Sequence, residues 1–383
     1  MRKNLSGKER IPMKKMPKPT GEYAVGTFTY TVKDDREELL APGTMRSVAA
    51  RVWYPVLKES VRDLPKAAAL SENMIKGFKR SFHVAPSFKD AENLSECFEN
   101  APRIPGKRVP PVMFSHGYNS YREGNSLLCI DLASHGYIVI SVAHSMEGLC
   151  TELDDGTALF ADKKNAKLYE PMLGGLLAMY KLVKSKGGCE ELARRFDEVQ
   201  RKYCRYMMGR LPEWVRDCEA ALERTREELS DLIDFEHGVG ASGHSFGGNT
   251  AYALCARDPD FVCGINIDGA LFGDYTDDVQ TRPFMQISCE DNEKAAARVY
   301  LRHTGPVWKA LFRDMRHMGF ADAKFTVPMR SVVGKLDADV LHAELCRLHL
   351  EFFDAYLKGS KPVPDLKSSD AVKVSVFEAD MKA

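Results

Sequence analysis

The chain has 383 residues, enough for one large domain with a sizeable core or for two smaller domains. Its 54 lysines and arginines balance its 54 aspartates and glutamates, so no net charge favours nucleic acid, and no nucleic-acid partner is expected. The ten cysteines occur singly, without a Cys-x-x-Cys pair, which argues against a zinc site and is typical of reduced thiols. Neither a signal-peptide core nor a run of about 18 apolar residues is evident, so we expect a cytoplasmic protein without a membrane-spanning helix.

The first 108 residues predict a polar tail, two strands and a partly helical excursion. Residues 1–20 carry seven basic side chains against one acid, Glu9, and are expected to form a disordered tail. The stretches 23–32 and 46–54 are rich in β-forming residues and are expected to pair as antiparallel strands. A helix is expected near 70–82 within the excursion.

From Val109 the pattern changes to buried strands that alternate with helices. Strands over 112–114 and 137–143, separated by a helix over 127–134, imply a right-handed parallel crossover. Residues 145–212 interrupt this alternation. Pro212 suits a first helical turn, so the next helix is expected over 212–235.

A helix over 171–184 lies within the interruption and carries an apolar face with Leu173, Leu176 and Leu177. Such a stripe indicates either a packed cap helix or, together with the flanking Lys181 and Lys184, a helix in weak peripheral contact with a membrane. In the second case, charging the face at Leu176 should weaken vesicle binding. Both alternatives stay open.

The stretch Ala241–Thr250 has the strongest motif of the chain. Gly243-His244-Ser245-Phe246-Gly247 fits the Gly-x-Ser-x-Gly nucleophile elbow, a strained strand-to-helix turn that lifts the serine hydroxyl above the sheet. Glycine is expected two residues before and two after the serine because these positions crowd each other in so sharp a turn. The elbow requires a strand over 239–242, although the β propensity there is weak. The alternative is an ordinary glycine-rich turn.

Further strands and helices follow the elbow. Helices are expected over 250–257 and 337–357, strands over 262–267, 284–288 and 307–312, and an edge strand or trailing tail over 372–376. The expected fold is therefore α/β, with a mostly parallel central sheet flanked by helices. A single domain is expected over 21–360, with a cap-like helical insertion at about 145–235 and a C-terminal tail or edge strand over 361–383.

Loops at the carboxyl ends of such strands converge on one crevice and here carry the groups that ester hydrolysis needs. Ser245 needs a base, and His317 follows the last of the expected parallel strands. Asp268 follows another strand and could hold the histidine in one tautomer, in the order serine, acid, histidine. The backbone amides of Phe246 and Tyr118 are the expected oxyanion donors.

Several of these assignments have rivals. Asp291 follows the next strand and is a rival candidate for the acid that orients His317. Asp268 is favoured because the apolar residues before it predict that Asp268 is buried. His116 and His244 are expected to shape loops by hydrogen bonding, and His144 is a possible substrate contact. Three further histidines are expected in loops or on the surface: His303, His342 and His349.

At these positions the chain resembles the plasma-type (type II) platelet-activating factor acetylhydrolases, within the α/β-hydrolases. The resemblance spans roughly residues 20–360 and rests on five stretches: Phe114–Gly117, Ile130–Gly136, Gly243–Gly248, Cys263–Asp268 and His317–Asp322. It implies an α/β-hydrolase fold, with Ser245 as nucleophile, Asp268 as acid, His317 as base, and Tyr118 and Phe246 at the oxyanion hole. It also implies calcium-independent hydrolysis of short or oxidised sn-2 acyl groups of phospholipids, and no metal or organic cofactor is expected.

The chain departs from the family in two places. The family's Glu-His-Arg is Ala143-His144-Ser145 here, and segment 145–212, expected to border the acyl and headgroup pockets, aligns poorly. The expected function is a serine esterase acting on short-chain esters, plausible substrates being phospholipids that resemble platelet-activating factor. Two alternatives remain: a general carboxylesterase or polyester hydrolase of dienelactone-hydrolase type, and a non-catalytic α/β-hydrolase scaffold that binds a ligand.

Overall fold

The computed structural model describes residues 15–83, 93–161, 172–327 and 329–377, and the account below concerns these residues. The strands are β1 (Ala24–Glu37), β2 (Met45–Val56), β3 (Lys66–Ala68), β4 (Leu94–Glu99), β5 (Pro111–Ser115), β6 (Ile138–Ala143), β7 (Cys150–Glu152), β8 (Ala158–Phe160), β9 (Val239–His244), β10 (Phe261–Ile267), β11 (Phe284–Cys289), β12 (Val307–Phe312) and β13 (Val372–Phe377). The α-helices are α1 (Glu72–Phe82), α2 (Ser126–Ser134), α3 (Met172–Lys184), α4 (Cys189–Tyr203), α5 (Arg205–Glu228), α6 (Phe246–Arg257), α7 (Ala323–Thr326), α8 (Arg330–Val333) and α9 (Ala338–Tyr356). Short 3-10 helices cover Lys58–Val61, Glu293–Tyr300 and His317–Phe320.

Eleven of these strands form one sheet in the order β13-β12-β11-β10-β9-β5-β6-β2-β1-β4-β3. The pairs from β12 across to β6 are all parallel, and β13 and β2 flank this block in antiparallel pairing. The remaining two strands, β7 and β8, form a separate hairpin. The mostly parallel sheet predicted from the sequence is therefore confirmed, and the 372–376 stretch is its antiparallel edge strand.

Helices cover both faces of the sheet, because successive side chains of a buried strand point to opposite sides. In β5, Met113 belongs to a core with Trp214 of α5 and Leu254 of α6. Its neighbour Phe114 belongs to a second core, which includes Leu345 of α9. The result is a helix–sheet–helix sandwich in which the ends of β5, β9, β10 and β12 meet at one edge.

The segment before Val109 adds more to the sheet than its sequence predicted. Strand β4 pairs in parallel with β1, and β3 pairs antiparallel with β4. The partly helical excursion predicted for this segment therefore also contributes two strands to the sheet. The partners of these short strands lie far away along the chain, so local pattern could not identify them.

The insertion differs from prediction around Pro212. Helix α5 begins at Arg205, so Pro212 lies inside it rather than in its first turn, and the preceding helix α4 was not predicted. The helix ends at Glu228, before the expected residue 235. Beyond this end the chain pairs with Val109, whose amide donates to the carbonyl of Leu232 and whose carbonyl accepts the amide of Asp234, both at 2.8 Å.

The expected N-terminal tail falls only partly within the described residues, since residues 1–14 lie outside them. The backbone amide of Thr20 donates to the Asp131 carboxylate at 2.6 Å, and its hydroxyl lies 3.0 Å from the same oxygen. Thr20 is thus attached to helix α2. Among the described helices, none is both long enough and apolar enough to cross a bilayer.

Candidate active site

The elbow expected at Ser245 is present as a sharp turn between β9 and α6. Ser245 has φ 59° and ψ −121°, a left-handed backbone conformation that costs energy for a non-glycine residue. Its amide donates to the carbonyl of Ile267 on the neighbouring strand at 2.8 Å. Hydrogen bonding to the sheet therefore holds the strained turn in place.

The glycines around the serine are required by close backbone approach. A side-chain carbon on Gly243 would overlap the backbone of Gly247, as the spacing argument predicted. One on Gly248 would fall on the amide oxygen of Asn266 in β10, which explains how closely α6 lies on the sheet.

Gly247 gives a test of this packing, because an added carbon there would fall on the carbonyl of Ser115 and lie 2.5 Å from that of His116. We expect Gly247→Ala to destabilise the fold by about 1–3 kcal/mol or more, since backbone cannot easily move aside. Thermal unfolding measures this effect. Gly209→Ala, at an exposed site in α5 with nothing within 4 Å, is the matched control and should gain about 0.5–1 kcal/mol. Equal melting temperatures for the two variants would contradict the packing argument.

The structure brings Ser245, His317 and Asp268 into one hydrogen-bonded line. The Ser245 hydroxyl lies 2.9 Å from Nε2 of His317, and Nδ1 of the same ring lies 2.7 Å from Oδ2 of Asp268. The acid is fully buried, whereas the histidine is 35 % exposed and can be reached from solvent. These distances suit proton transfer from the serine to the imidazole.

Neighbouring groups fix the Asp268 carboxylate, and sequence reasoning missed them. The amide of Cys289, at the end of β11, donates to Oδ1 at 2.7 Å, and the side-chain amide of Asn292 donates to Oδ2 at 2.8 Å. Cys289 is the last residue of β11, and Asn292 lies just beyond it, beside Asp291. The sequence offered Asp291 in this loop as a rival acid, and the loop instead contributes hydrogen-bond donors to Asp268.

The rival acid, Asp291, lies away from the imidazole. Its carboxylate pairs with Arg316, and both side chains are half exposed. The geometry therefore favours Asp268, in line with the burial argument.

The two expected oxyanion donors flank the nucleophile. Phe246 is the first residue of α6, directly after Ser245. On the other side, a carbon added to Gly117 would lie 2.9 Å from Cβ of Ser245, so Gly117 packs against the serine side chain. The residues that carry the two expected donors therefore lie on either side of the serine.

His116 and His244 hold loops by hydrogen bonding, as expected. His244 lies with Nε2 3.0 Å from the carbonyl of His317, and Nδ1 of His116 lies 2.7 Å from the carbonyl of Gly117. Burial lowers the pKa of each ring to about 3, so both are neutral near pH 7. A neutral His244 can donate to the backbone of His317 and so helps to place the ring.

His144 is not placed for the substrate contact that the sequence left possible. The side chain is fully buried, with Nε2 2.8 Å from the Ser115 hydroxyl and Nδ1 2.8 Å from Asp217. Its ring stacks on Trp214 at 3.6 Å between centroids. Both ring nitrogens are therefore occupied within the protein. Asp217, 73 residues away on α5, had no local signal that could have identified it.

The three histidines that were expected in loops or on the surface are all buried. The prediction of surface exposure was therefore wrong for them. His342 and His349 lie on the inner face of α9, and His349 bonds to the Ser242 hydroxyl at 3.0 Å. His303 does lie in a loop, with Nδ1 2.8 Å from the carbonyl of Gly305. Burial occurs because each ring finds polar partners inside.

One group of potential metal ligands occurs in the described ranges, away from the line of Ser245, His317 and Asp268. Ligand atoms of Asp131, His342 and Cys346 lie within 4.8 Å of one another. The Asp131 carboxylate already accepts hydrogen bonds from Thr20, and Cys346 lies 3.6 Å from the His342 ring. These contacts account for the group by hydrogen bonding alone.

Comparison with known proteins identifies the family. Residues 9–301 match the family described as platelet-activating factor acetylhydrolase, isoform II. The chain belongs to this family.

Two relatives illustrate the range of the acetylhydrolase family. The platelet-activating factor acetylhydrolase of Canis lupus familiaris is 28 % identical over 375 residues, covering 91 % of this chain and 78 % of the relative. A probable 1-alkyl-2-acetylglycerophosphocholine esterase of the fungus Arthroderma benhamiae is 27 % identical over 384 residues, covering 89 % and 86 %.

A solved structure supports the fold. The ferulic acid esterase from Streptomyces cinnamoneus aligns with 95 % of this chain and 99 % of its own, with a TM-score of 0.70 and 21 % identity. With this neighbour and the sheet order, the α/β-hydrolase fold is confirmed.

The acetylhydrolase family match ends at residue 301 and so includes Ser245 and Asp268 but stops before His317. For the histidine, the evidence is therefore geometric: its ring lies between the other two side chains. The match also includes the elbow glycines whose packing is described above.

Proposed function

We propose that the protein is a serine esterase that cleaves short acyl esters, with the sn-2 acetyl or short oxidised acyl group of phospholipids as its substrate class. The observation that carries this proposal is the Ser245–His317–Asp268 line at 2.9 and 2.7 Å in a member of the acetylhydrolase family. The names of the relatives supply the substrate class, since they refer to platelet-activating factor and to 1-alkyl-2-acetylglycerophosphocholine.

In the proposed mechanism, Ser245 attacks the ester carbonyl while Nε2 of His317 takes the hydroxyl proton. Because a carboxylate only accepts hydrogen bonds, Asp268 keeps the ring proton on Nδ1 and leaves Nε2 free to act as base. The same imidazolium then protonates the leaving alkoxide, and an acyl-enzyme remains. Water, deprotonated by His317, releases the acid and restores the serine.

The amides of Phe246 and Tyr118 would stabilise the oxyanion of each tetrahedral intermediate. Donors fixed before the reaction starts need no reorganisation as charge develops. The side chains of both residues pack on Trp214, edge to face for Phe246 at 4.7 Å and stacked for Tyr118 at 6.3 Å between ring centroids. This packing holds the two donor residues in place.

The direct test compares two substrates and one probe. Purified protein should react covalently with a fluorophosphonate probe and hydrolyse both p-nitrophenyl acetate and a phospholipid with an sn-2 acetyl group, with higher kcat/KM on the lipid. Faster turnover of the nitrophenyl ester would favour the general carboxylesterase, the second candidate function. If the protein neither reacts with the probe nor hydrolyses either ester, the remaining hypothesis is a non-catalytic scaffold that binds a ligand.

Weak peripheral membrane contact through helix α3 is a further part of the proposal. In this helix Leu177 and Tyr180 are 54 % and 62 % exposed, and Lys181 and Lys184 are exposed beside them. The side chain of Leu176, the position first chosen for a test, lies outside the described residues. An exposed apolar pair next to basic residues is typical of interfacial helices.

We expect Leu177→Glu to weaken binding to vesicles of anionic lipid without slowing hydrolysis of soluble p-nitrophenyl acetate. The physical reason is the cost of placing a carboxylate against acyl chains and acidic headgroups. Vesicle co-sedimentation measures the binding, and Leu177→Gln separates charge from polarity. Unchanged sedimentation of the Leu177→Glu variant would rule out α3 as the contact.

The cysteines support a cytoplasmic location, which we propose on chemical grounds. All ten lie in the described ranges, and each retains its thiol rather than forming a disulfide. Such a chain suits a reducing compartment.

A further inference from the structure

The peptide group between Gly117 and Tyr118 is held from its carbonyl side. The Gly117 oxygen accepts the amide of Ser120 at 2.9 Å and lies 2.7 Å from Nδ1 of His116. In a trans peptide the carbonyl and the following N–H point in opposite directions. The two bonds to the carbonyl therefore set the direction of the Tyr118 N–H, in the peptide that follows Gly117, and a carbon added to Gly117 would lie 2.9 Å from Cβ of Ser245.

The hydrogen-bond partners of His116 determine its tautomer. The backbone amide of His144 donates to Nε2 of His116 at 3.3 Å, so Nε2 carries the lone pair. In the neutral ring the proton then belongs to Nδ1, which donates it to the Gly117 carbonyl. The ring is only 1 % exposed, so bulk solvent does not compete for either partner.

The tautomer of His144 also follows from its hydrogen-bond partners. Asp217 can only accept, so Nδ1 of His144 donates to it and Nε2 accepts the Ser115 hydroxyl proton. Asp217 is itself held by Arg46, whose Nε donates at 2.7 Å. Ser115, His144 and Asp217 thus form a second, fully buried Ser–His–Asp arrangement behind the oxyanion loop.

A second set of contacts connects the oxyanion loop, residues 116–120, to helix α5. The amide of Asn119 donates to the carbonyl of Glu147 at 2.9 Å, and the Glu147 carboxylate accepts from Arg210 and from the indole of Trp214. The oxyanion loop therefore rests on segment 144–147, and helix α5 anchors both ends of that segment.

We propose that His116 and His144 are positioning residues that orient the Tyr118 amide toward the oxyanion. The inference rests on the proposed esterase function. The His144 backbone amide sets the tautomer of His116, and His116 fixes the peptide. The His144 ring, held by Asp217 and Ser115, keeps that backbone amide in place. Each proton in this series of hydrogen bonds has one possible position. The Tyr118 amide is therefore oriented before substrate binds.

The test compares three variants with the wild type. His116→Leu removes the ring donor, whereas His116→Asn keeps one, because the asparagine amide can take the place of Nδ1. His349→Leu is the matched control: it is equally buried and bonded to Ser242, on the strand beside β5, but has no bond to the oxyanion loop. Each variant is measured for kcat per fluorophosphonate-titrated site, for KM with p-nitrophenyl acetate, and for inhibition by a trifluoromethyl ketone, whose adduct carries an oxyanion.

We expect His116→Leu to lower kcat per titrated site by about 10- to 100-fold, somewhat less than complete loss of an oxyanion donor. Its ketone affinity should fall by a similar factor, while KM stays within about threefold, because ground-state binding does not use the oxyanion. His116→Asn should recover most of the loss. His349→Leu should lower the melting temperature and leave kcat per site unchanged.

Wild-type kcat per site and ketone affinity in His116→Leu would overturn the inference, as would an equal loss in His349→Leu. Should His116→Leu fail to fold, His116→Phe carries the same test, because it keeps a flat ring of similar size and removes the same donor. A wild-type protein that neither labels nor hydrolyses esters would instead refute the proposed function. If the wild type labels and hydrolyses esters and the His116 variants keep its kcat per site and ketone affinity, only the positioning role is refuted.

Discussion

Ser245→Ala should abolish ester turnover while leaving the fold intact. The loss is expected to be on the order of 10³-fold or more, as for removal of the nucleophile from other triads. The elbow should survive because hydrogen bonds of the Ser245 backbone, to Ile267 and to Gly248, hold the turn. Hydrolysis of p-nitrophenyl acetate and labelling by a fluorophosphonate measure the chemistry, and thermal unfolding measures the fold.

Ser242→Ala is the matched control for the nucleophile variant. Ser242 lies on the same strand and is buried, but its hydroxyl bonds to His349 and not to His317. It should label and turn over ester as the wild type does. More than a tenth of the wild-type rate in a contaminant-free Ser245→Ala preparation would falsify the nucleophile assignment.

The elbow and the three triad candidates could be predicted from the local sequence and from the order of the elements along the chain. The glycine at 243 follows from its overlap with Gly247 inside the turn, whereas the glycine at 247 is also required by the carbonyls of Ser115 and His116, which the local sequence does not indicate. Asp268 could be favoured over Asp291 because its burial follows from the apolar strand directly before it. His317 followed from chain order alone, since parallel strands bring their carboxyl ends to one edge.

The environment of the oxyanion loop could not be predicted, because its partners are distant in sequence. Asp217 is an unremarkable acid on a helix surface until α5 packs against the sheet and buries it beside His144. His349 was expected in a loop or at the surface because its ring is polar. In the structure it is buried, and its two nitrogens bond to the Ser242 hydroxyl on β9 and to the carbonyl of Leu345 in α9. Pairings of this kind are set by tertiary packing and not by local pattern.

Asp268→Asn should cost up to roughly 10⁴-fold in ester turnover at neutral pH, the loss seen when a serine-protease triad loses its acid in this way. The carboxylate accepts the Cys289 amide on Oδ1 and faces His317 and Asn292 with Oδ2. An amide that keeps its oxygen toward Cys289 turns its NH₂ toward Nδ1 of His317. The ring must then carry its proton on Nε2, where it faces Ser245 and cannot act as base.

Asp291→Asn is the control, since it changes a carboxylate to an amide on the loop after the neighbouring strand. It removes only an exposed ion pair with Arg316, which contributes little to stability, so turnover should stay near the wild-type value. Steady-state kinetics on p-nitrophenyl acetate at neutral pH compare the two variants, and thermal unfolding shows that both are folded. A near-normal Asp268→Asn enzyme beside an inactive Asp291→Asn enzyme would move the acid to the later strand. It would also require His317 to turn away from the buried carboxylate that now lies 2.7 Å from its ring.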